Sequence, residues 1–147
     1  MARPAPVHAS MMLIAFCAAL GAAVACRTPT MDVSEGDRLA SSIWGGDRIQ
    51  LNVESAGATT EYDCAHGTID QPIDLDAKGR FSAAGTHVFE HGGPIREGEK
   101  PNTHPARYTG QVDGGAMSLT VTLTDSGQDV GTFALKRDVS PRLHKCL

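Results

Sequence analysis

The sequence is poor in aromatic residues, in charge and in basic groups, and each shortage closes off a class of protein. Phe, Trp and Tyr make up 5% of the 147 residues, and charged side chains 20%. With 13 Lys and Arg against 17 Asp and Glu, the formal charge is -4, and no basic stripe stands ready for a phosphate backbone. Nucleic acid is therefore not an expected partner. The four cysteines include no CxxC pair, which leaves a weak case for zinc, and no Gly-x-Ser-x-Gly elbow is present. No segment past residue 42 keeps the period of a long amphipathic helix. What the chain does have is 16 Gly and 8 Pro, the composition of a loop-rich globular domain of ordinary single-domain size.

The N-terminus carries a targeting signal. Arg3 precedes the apolar run Met11 to Val24, which at 14 residues is too short for a membrane span, since crossing a bilayer takes about 20. A cleaved export signal over residues 1–25 is the expectation. Ala23-Val24-Ala25 before Cys26 resembles a bacterial lipobox, with Ala23 where Leu is more usual. On that reading Cys26 carries a diacylglycerol thioether. The competing reading is an ordinary signal-peptidase site that leaves Cys26 plain. Loss of residues 1–25 removes Arg3 and no acid, so the mature chain has 12 basic and 17 acidic side chains.

Cysteine arithmetic favours the lipid. Cys17 leaves with the signal, and an unmodified mature chain would hold three thiols in an oxidising compartment, one of them unpaired. With Cys26 acylated, Cys64 and Cys146 remain and can pair, which suits an exported protein with a modest core. Two separate buried thiols are the alternative. Residues 26–42 mix small, polar and charged types without period and read as a flexible tether from lipid to folded body. The residue after Cys26 is Arg27, not the Asp that retains some lipoproteins at the inner membrane, so the outer membrane is permitted. The expected location is a bacterial cell envelope, with the chain held to a membrane by lipid and facing the periplasm or the cell surface.

Residues 43–147 read as a single domain of short strands. Ile49, Leu51 and Val53 alternate with polar neighbours, as do Thr60, Tyr62 and Cys64. Ala65-His66-Gly67 is expected to bend or bulge that strand, and Ile73 and Leu75 to continue inward. Asp76-Ala77-Lys78-Gly79 signals a hairpin. The clearest strand has Met117, Leu119, Val121 and Leu123 against Ser118, Thr120, Thr122 and Thr124. It is flanked by strands Tyr108 to Val112 and Val130 to Lys136 across glycine-bearing turns, which makes an antiparallel meander. About eight strands are predicted, and closure into a barrel would remove both edges. The fold class is thus all-β, a small antiparallel meander closing as an eight-stranded barrel, with an open sandwich as the alternative.

Trp44-Gly45-Gly46, Glu61 to Gly67, Gly79-Arg80-Phe81, Glu90 to Pro94 and Lys145-Cys146-Leu147 together resemble a family of small uncharacterised bacterial exported proteins. The resemblance spans most of the chain after residue 42 and implies no activity. The general plan is similar to calycin-like barrels and to barrel lipoproteins that inhibit lysozymes or proteases, without a motif that selects either.

Chemistry-bearing residues gather in two stretches. His87-Val88-Phe89-Glu90-His91 matches H-x-x-E-H, but that pattern needs a helix to bring both imidazoles to one metal. Glycines on both sides point to an extended segment, where residues four apart are about 13 Å from each other. Asp63, His66, His87, Glu90 and His91 form a polar cluster only if the tertiary fold assembles one. No catalytic residue, cofactor or metal site is predicted, and an enzyme is the less favoured class. Asp74 and Asp76 share a face as glycosidase carboxylates would, or as the wet side of a strand. Residues Gly92 to Ala106 read as a long polar loop with three prolines, and Trp44 as a plug for one barrel end.

Inward positions filled by aliphatic residues favour a packed barrel working through its loops. The leading expectation is an anchored binding or interaction module that engages a protein or an envelope component, with inhibition of a lysozyme or protease as its concrete form. The alternative is a lipocalin-like carrier of a small apolar ligand, and the third reading is a hydrolase built on His66 or His87. An apolar cavity open at one end favours the carrier; a solid core with an ordered protruding loop favours the interaction module.

Overall fold

The computed structural model describes residues 37–94 and 96–146. The predicted signal, the lipid site Cys26 and most of the tether lie outside them. The described chain forms eight strands: β1 (Ser42–Gly46), β2 (Ile49–Val53), β3 (Ala58–Tyr62), β4 (Ala65–Ile69), β5 (Arg80–Phe89), β6 (Asn102–Asp113), β7 (Ala116–Leu123) and β8 (Asp129–Arg137). Each pairs antiparallel with the next, and β8 returns to β1 through Trp44↔Arg137, Gly45↔Lys136 and Gly46↔Leu135. The barrel is closed, as the alternation predicts, and the open sandwich is excluded.

Period-2 patterning decides which side chains fill it. Leu51, Leu119, Val121, Tyr108 and Trp44 are fully enclosed. Threonines cover the outer wall, where Thr120 and Thr132 hydroxyls bond at 2.8 Å and Thr68 and Thr86 at 2.9 Å. Trp44 fills space near the base, its Nε1 donating to Ser42 Oγ at 2.9 Å and its ring under the Arg137 guanidinium at 4.9 Å.

One end, the base, is shut by residues placed elsewhere by the sequence. Asp37 to Ser41 were expected within the tether, but Leu39 is buried and its N–H donates to Ile73 O at 2.8 Å. Leu75 N–H in turn donates to Asp37 O at 3.0 Å. Ile73 and Leu75 therefore belong to a cap over the base and not to a strand. Asp74 bonds Arg38 at 2.9 Å, while Asp76 caps its own turn by accepting from Lys78 and Arg80 N–H. The two carboxylates thus serve separate local contacts, and the glycosidase-like pairing is not formed.

Two boundaries differ from the sequence reading. Ala65 to Ile69 is a strand of its own, because the chain reverses at Asp63–Cys64 and pairs Glu61↔His66. The 92–106 loop is also shorter than expected, since β6 starts at Asn102. Pro105 fits inside β6 because its carbonyl accepts from Thr124 N–H at 2.9 Å, just past the first regular β6–β7 pair, Ala106↔Leu123. Its missing N–H faces the same side, at the ladder's end, so little pairing is lost.

Candidate functional site

The other end of the barrel, the mouth, is built differently. It is bounded by the β1–β2 turn, the β3–β4 reversal, the 90–101 connection and the β7–β8 turn. Here inward positions of β3, β5, β6 and β8 carry rings, while β2 and β7 end in the buried Ile49 and Leu123. Of the six Phe, Trp and Tyr residues after residue 36, Tyr62, Phe89 and Phe133 stand together at this end. With two imidazoles they make a continuous chain of ring contacts, one tilted and three edge-on. Phe133 meets Tyr62 at 5.5 Å, Tyr62 meets His87 at 5.1 Å, His87 meets Phe89 at 4.7 Å, and Phe89 meets His104 at 5.6 Å.

Tyr62, His87, Phe89 and Phe133 floor a pocket of about 280 Å³. A bulge helps to shape it: Val121↔Gly131 and Thr122↔Asp129 leave Val130 unpaired, and Val130 lines the pocket wall. At the rim, Asp63 is held on two sides. His144 N–H donates to its Oδ1 at 2.8 Å and Arg48 Nε to its Oδ2 at 2.5 Å. Both contacts, the backbone one foremost, hold its carboxyl below the usual range. Arg48 itself has φ 65° and is pinned by its N–H donating to Arg142 O at 2.8 Å. Left-handed geometry disfavours a non-glycine residue by about 1–2 kcal/mol, so the tail contact supports the rim.

That tail runs back from the base along β1 to the mouth. Arg142 N–H donates to Gly46 O at 3.0 Å and Cys146 N–H to Asp63 O at 3.1 Å. The sulfurs of Cys64 and Cys146 lie at disulfide distance with Cα atoms 5.2 Å apart. The predicted pairing and the predicted return of the C-terminus to an early strand coincide here.

Below the rim, His87 is 1% exposed, and neither ring nitrogen has a hydrogen-bond partner among the described residues. Tyr62 Oη is likewise without one. Burial, then the nearby His104 and His66, pushes His87 toward its neutral form; burial pushes the Tyr62 phenol up. His104 is satisfied, bonding Asp125 Oδ2 at 2.7 Å and Asn102 Oδ1 at 3.0 Å. An unpartnered buried polar atom costs about 1–3 kcal/mol, so His87 calls for an explanation.

The five residues singled out from sequence do not form one cluster; only His66 and Glu90 meet. The barrel wall separates them, because β4 and β5 alternate: His87 points in, and His66 points out. His66 Nδ1 bonds Glu90 Oε1 at 2.6 Å on the outer face, and Lys145 Nζ bonds Glu61 at 2.7 Å and approaches Glu90 at 3.6 Å. Glu90 is held low, first by His66. His91 lies beyond the end of β5 and pairs with Glu99 within the 90–101 connection. Asp63 stays at the rim with Arg48. Among the described residues no group of three or more His, Cys, Asp or Glu is placed to hold a metal ion.

Two other hollows are larger but hold no unpartnered buried group. One of about 530 Å³ lies among the connection's own polar residues. The other, about 380 Å³, runs between that connection and the wall beside the His66–Glu90 pair. No serine or threonine lines it, and its Cys146 is engaged with Cys64. No family model, curated protein or solved structure matches the chain.

Tyr62, Phe89, Phe133 and Arg48 were not singled out as site residues by the sequence. Their signal is present in retrospect: inward positions near one end of β3, β5 and β8 carry rings, where β2 and β7 carry Ile, Leu and Val.

Proposed function

We propose that the barrel is a binding protein for a small, largely apolar molecule, which it holds in the ring-lined mouth pocket. The observation that carries this reading is the contrast between the two ends. The base is closed by Leu39, Ile73 and Trp44, while the mouth holds a hollow of about 280 Å³ floored by aromatic rings. Small-ligand sites have this form: apolar walls, one open side and few polar groups. In this reading the chain is exported, is held in the bacterial envelope through lipid on Cys26, and carries its ligand there.

The 90–101 connection supports a second reading, that of an interaction module for an envelope protein. Contacts within it tie His91, Arg96 and Glu99 together. His91 pairs with Glu99, Glu99 Oε2 accepts from Arg96 N–H at 3.0 Å, and Glu99 N–H donates to Arg96 O at 3.0 Å. A stiffened loop can present side chains to a partner at a small entropic cost.

The full chain, released in mild detergent from the cells that make it, distinguishes the two. The carrier reading expects a retained small molecule in native mass spectrometry, or, after its removal, naphthalene-induced shifts of the Tyr62, Phe89 and Phe133 aromatic signals. No retained mass together with no shift would overturn it and leave the interaction module.

A further inference from the structure

His87 narrows what the mouth pocket takes, and the inference rests on the carrier reading. Its side chain is closed off among rings, with both nitrogens unpartnered among the described residues. A neutral imidazole offers one N–H donor and one lone pair. A group that only filled space at this position would more economically be Phe or Leu, as at Phe81 or Leu119 in the same barrel.

Charge on the ligand is disfavoured from both directions. An anion would meet the Asp63 carboxylate at the rim, where the charge of the adjacent Arg48 is balanced by its Nε contact with Asp63. A cation would find that carboxylate occupied by Arg48 and His144 N–H. Either ion would lose its hydration against apolar walls without gaining a free counter-charge. Size is bounded as well. A cavity of about 150 Å³ takes one benzene ring, so about 280 Å³ suits two fused rings.

We propose that the ligand is a neutral, planar molecule of about ten non-hydrogen atoms bearing one hydroxyl or amide group, and that His87 takes that group as its missing hydrogen-bond partner. Such a group both donates and accepts, so it serves whichever imidazole nitrogen carries the proton. The ring nitrogens are themselves shielded from water. Phe89, edge-on at 4.7 Å and only partly buried, is the side chain that must swing aside. It ends β5 and borders the 90–101 connection, where the backbone leaves the ladder.

The test compares 2-naphthol, naphthalene and 2-naphthoate by calorimetry on the full chain in detergent. The expected order is 2-naphthol about tenfold tighter than naphthalene, with 2-naphthoate weakest. In His87→Phe the preference for naphthol disappears while naphthalene still binds. Because a variant can fail to fold, the imidazole nitrogen-15 signals of the wild-type protein provide a second readout: 2-naphthol moves the His87 signals and naphthalene leaves them near their free positions. If naphthalene binds as tightly as naphthol, or naphthol leaves the His87 nitrogens unmoved, the assignment to His87 falls while the pocket stands. If none of the three binds, the pocket reading falls with it.

Discussion

The backbone N–H of His144 donates to Asp63 Oδ1 at 2.8 Å, joining the last turn of chain to the rim of the mouth across 81 residues. The bond needs an ionised acceptor to be strong. Asp63 is held below its ordinary value of 3.8 by this contact and by Arg48, so the stabilisation is complete above that value. It is lost as pH falls through the lowered folded value. Protection of the His144 amide, taken relative to its intrinsic exchange rate, should accordingly fall only in acid below about pH 4. Asp63→Ala should show the lowered protection at all pH values, and unaltered protection in that variant would contradict the role given to the carboxylate.

The Cys64–Cys146 pair spans 82 residues. On the chain-entropy account, a closed loop of that length contributes about 4.5 kcal/mol. A Cys64→Ala, Cys146→Ala double variant is expected to lose about 4 kcal/mol in denaturant unfolding. The barrel ladder should persist in far-ultraviolet dichroism, because β1 to β8 pair without the bond. A loss under 1 kcal/mol would mean that the backbone contacts of Arg142, His144 and Cys146 hold the tail by themselves.

Gly67 faces inward on β4 where the Tyr108 ring crosses the barrel. A Cβ there would lie 2.2 Å from Tyr108 Oη, 2.5 Å from Thr86 O and 2.7 Å from Thr60 Oγ1. Tyr108 Oη also donates to Thr86 O at 2.6 Å, so the tyrosine has little freedom to retreat. Gly67→Ala should cost about 1–3 kcal/mol by overpacking. Thermal unfolding checks it, and a neutral outcome would place slack in the core that the packing does not suggest.

The barrel was more legible in the sequence than its mouth, for a physical reason. The alternation of Met117, Leu119, Val121 and Leu123 is a local signal, and all four side chains are buried as it predicts. Closure follows from consecutive antiparallel pairing, which glycine turns announce. The β3–β4 reversal was not legible because its turn holds Asp63 and Cys64 and no glycine or proline. The start of β6 was hidden by Pro101 and Pro105, which read as loop until the ladder's end is located. The pocket takes residues from β3, β4, β5, β8 and two turns, so it exists only once the strands are in register. Sequence spacing grouped His87 with Glu90 and His91, but the strand's two-residue period sends His87 inside, and His91 leaves with the loop.

His87 is also the place where stability and binding should oppose each other. Its nitrogens are buried without partners among the described residues, so His87→Phe removes an unmet polar group and keeps a ring between Tyr62 and Phe89. The variant is expected to gain about 1–2 kcal/mol at neutral pH. The gain should widen in acid. Burial, His104 and His66 hold the folded imidazole below its ordinary value of 6.5. Below 6.5 the unfolded chain binds the proton first, and wild-type stability falls as pH drops toward the lowered folded value. Above 6.5 the wild-type curve should be flat with respect to this group. Denaturant midpoints of both proteins between pH 5 and 8 would reveal the slope in the wild type and its reduction in the variant. Parallel curves would mean that His87 already has a partner in the free protein, and with it the case for a ligand hydroxyl or amide at that position would be lost.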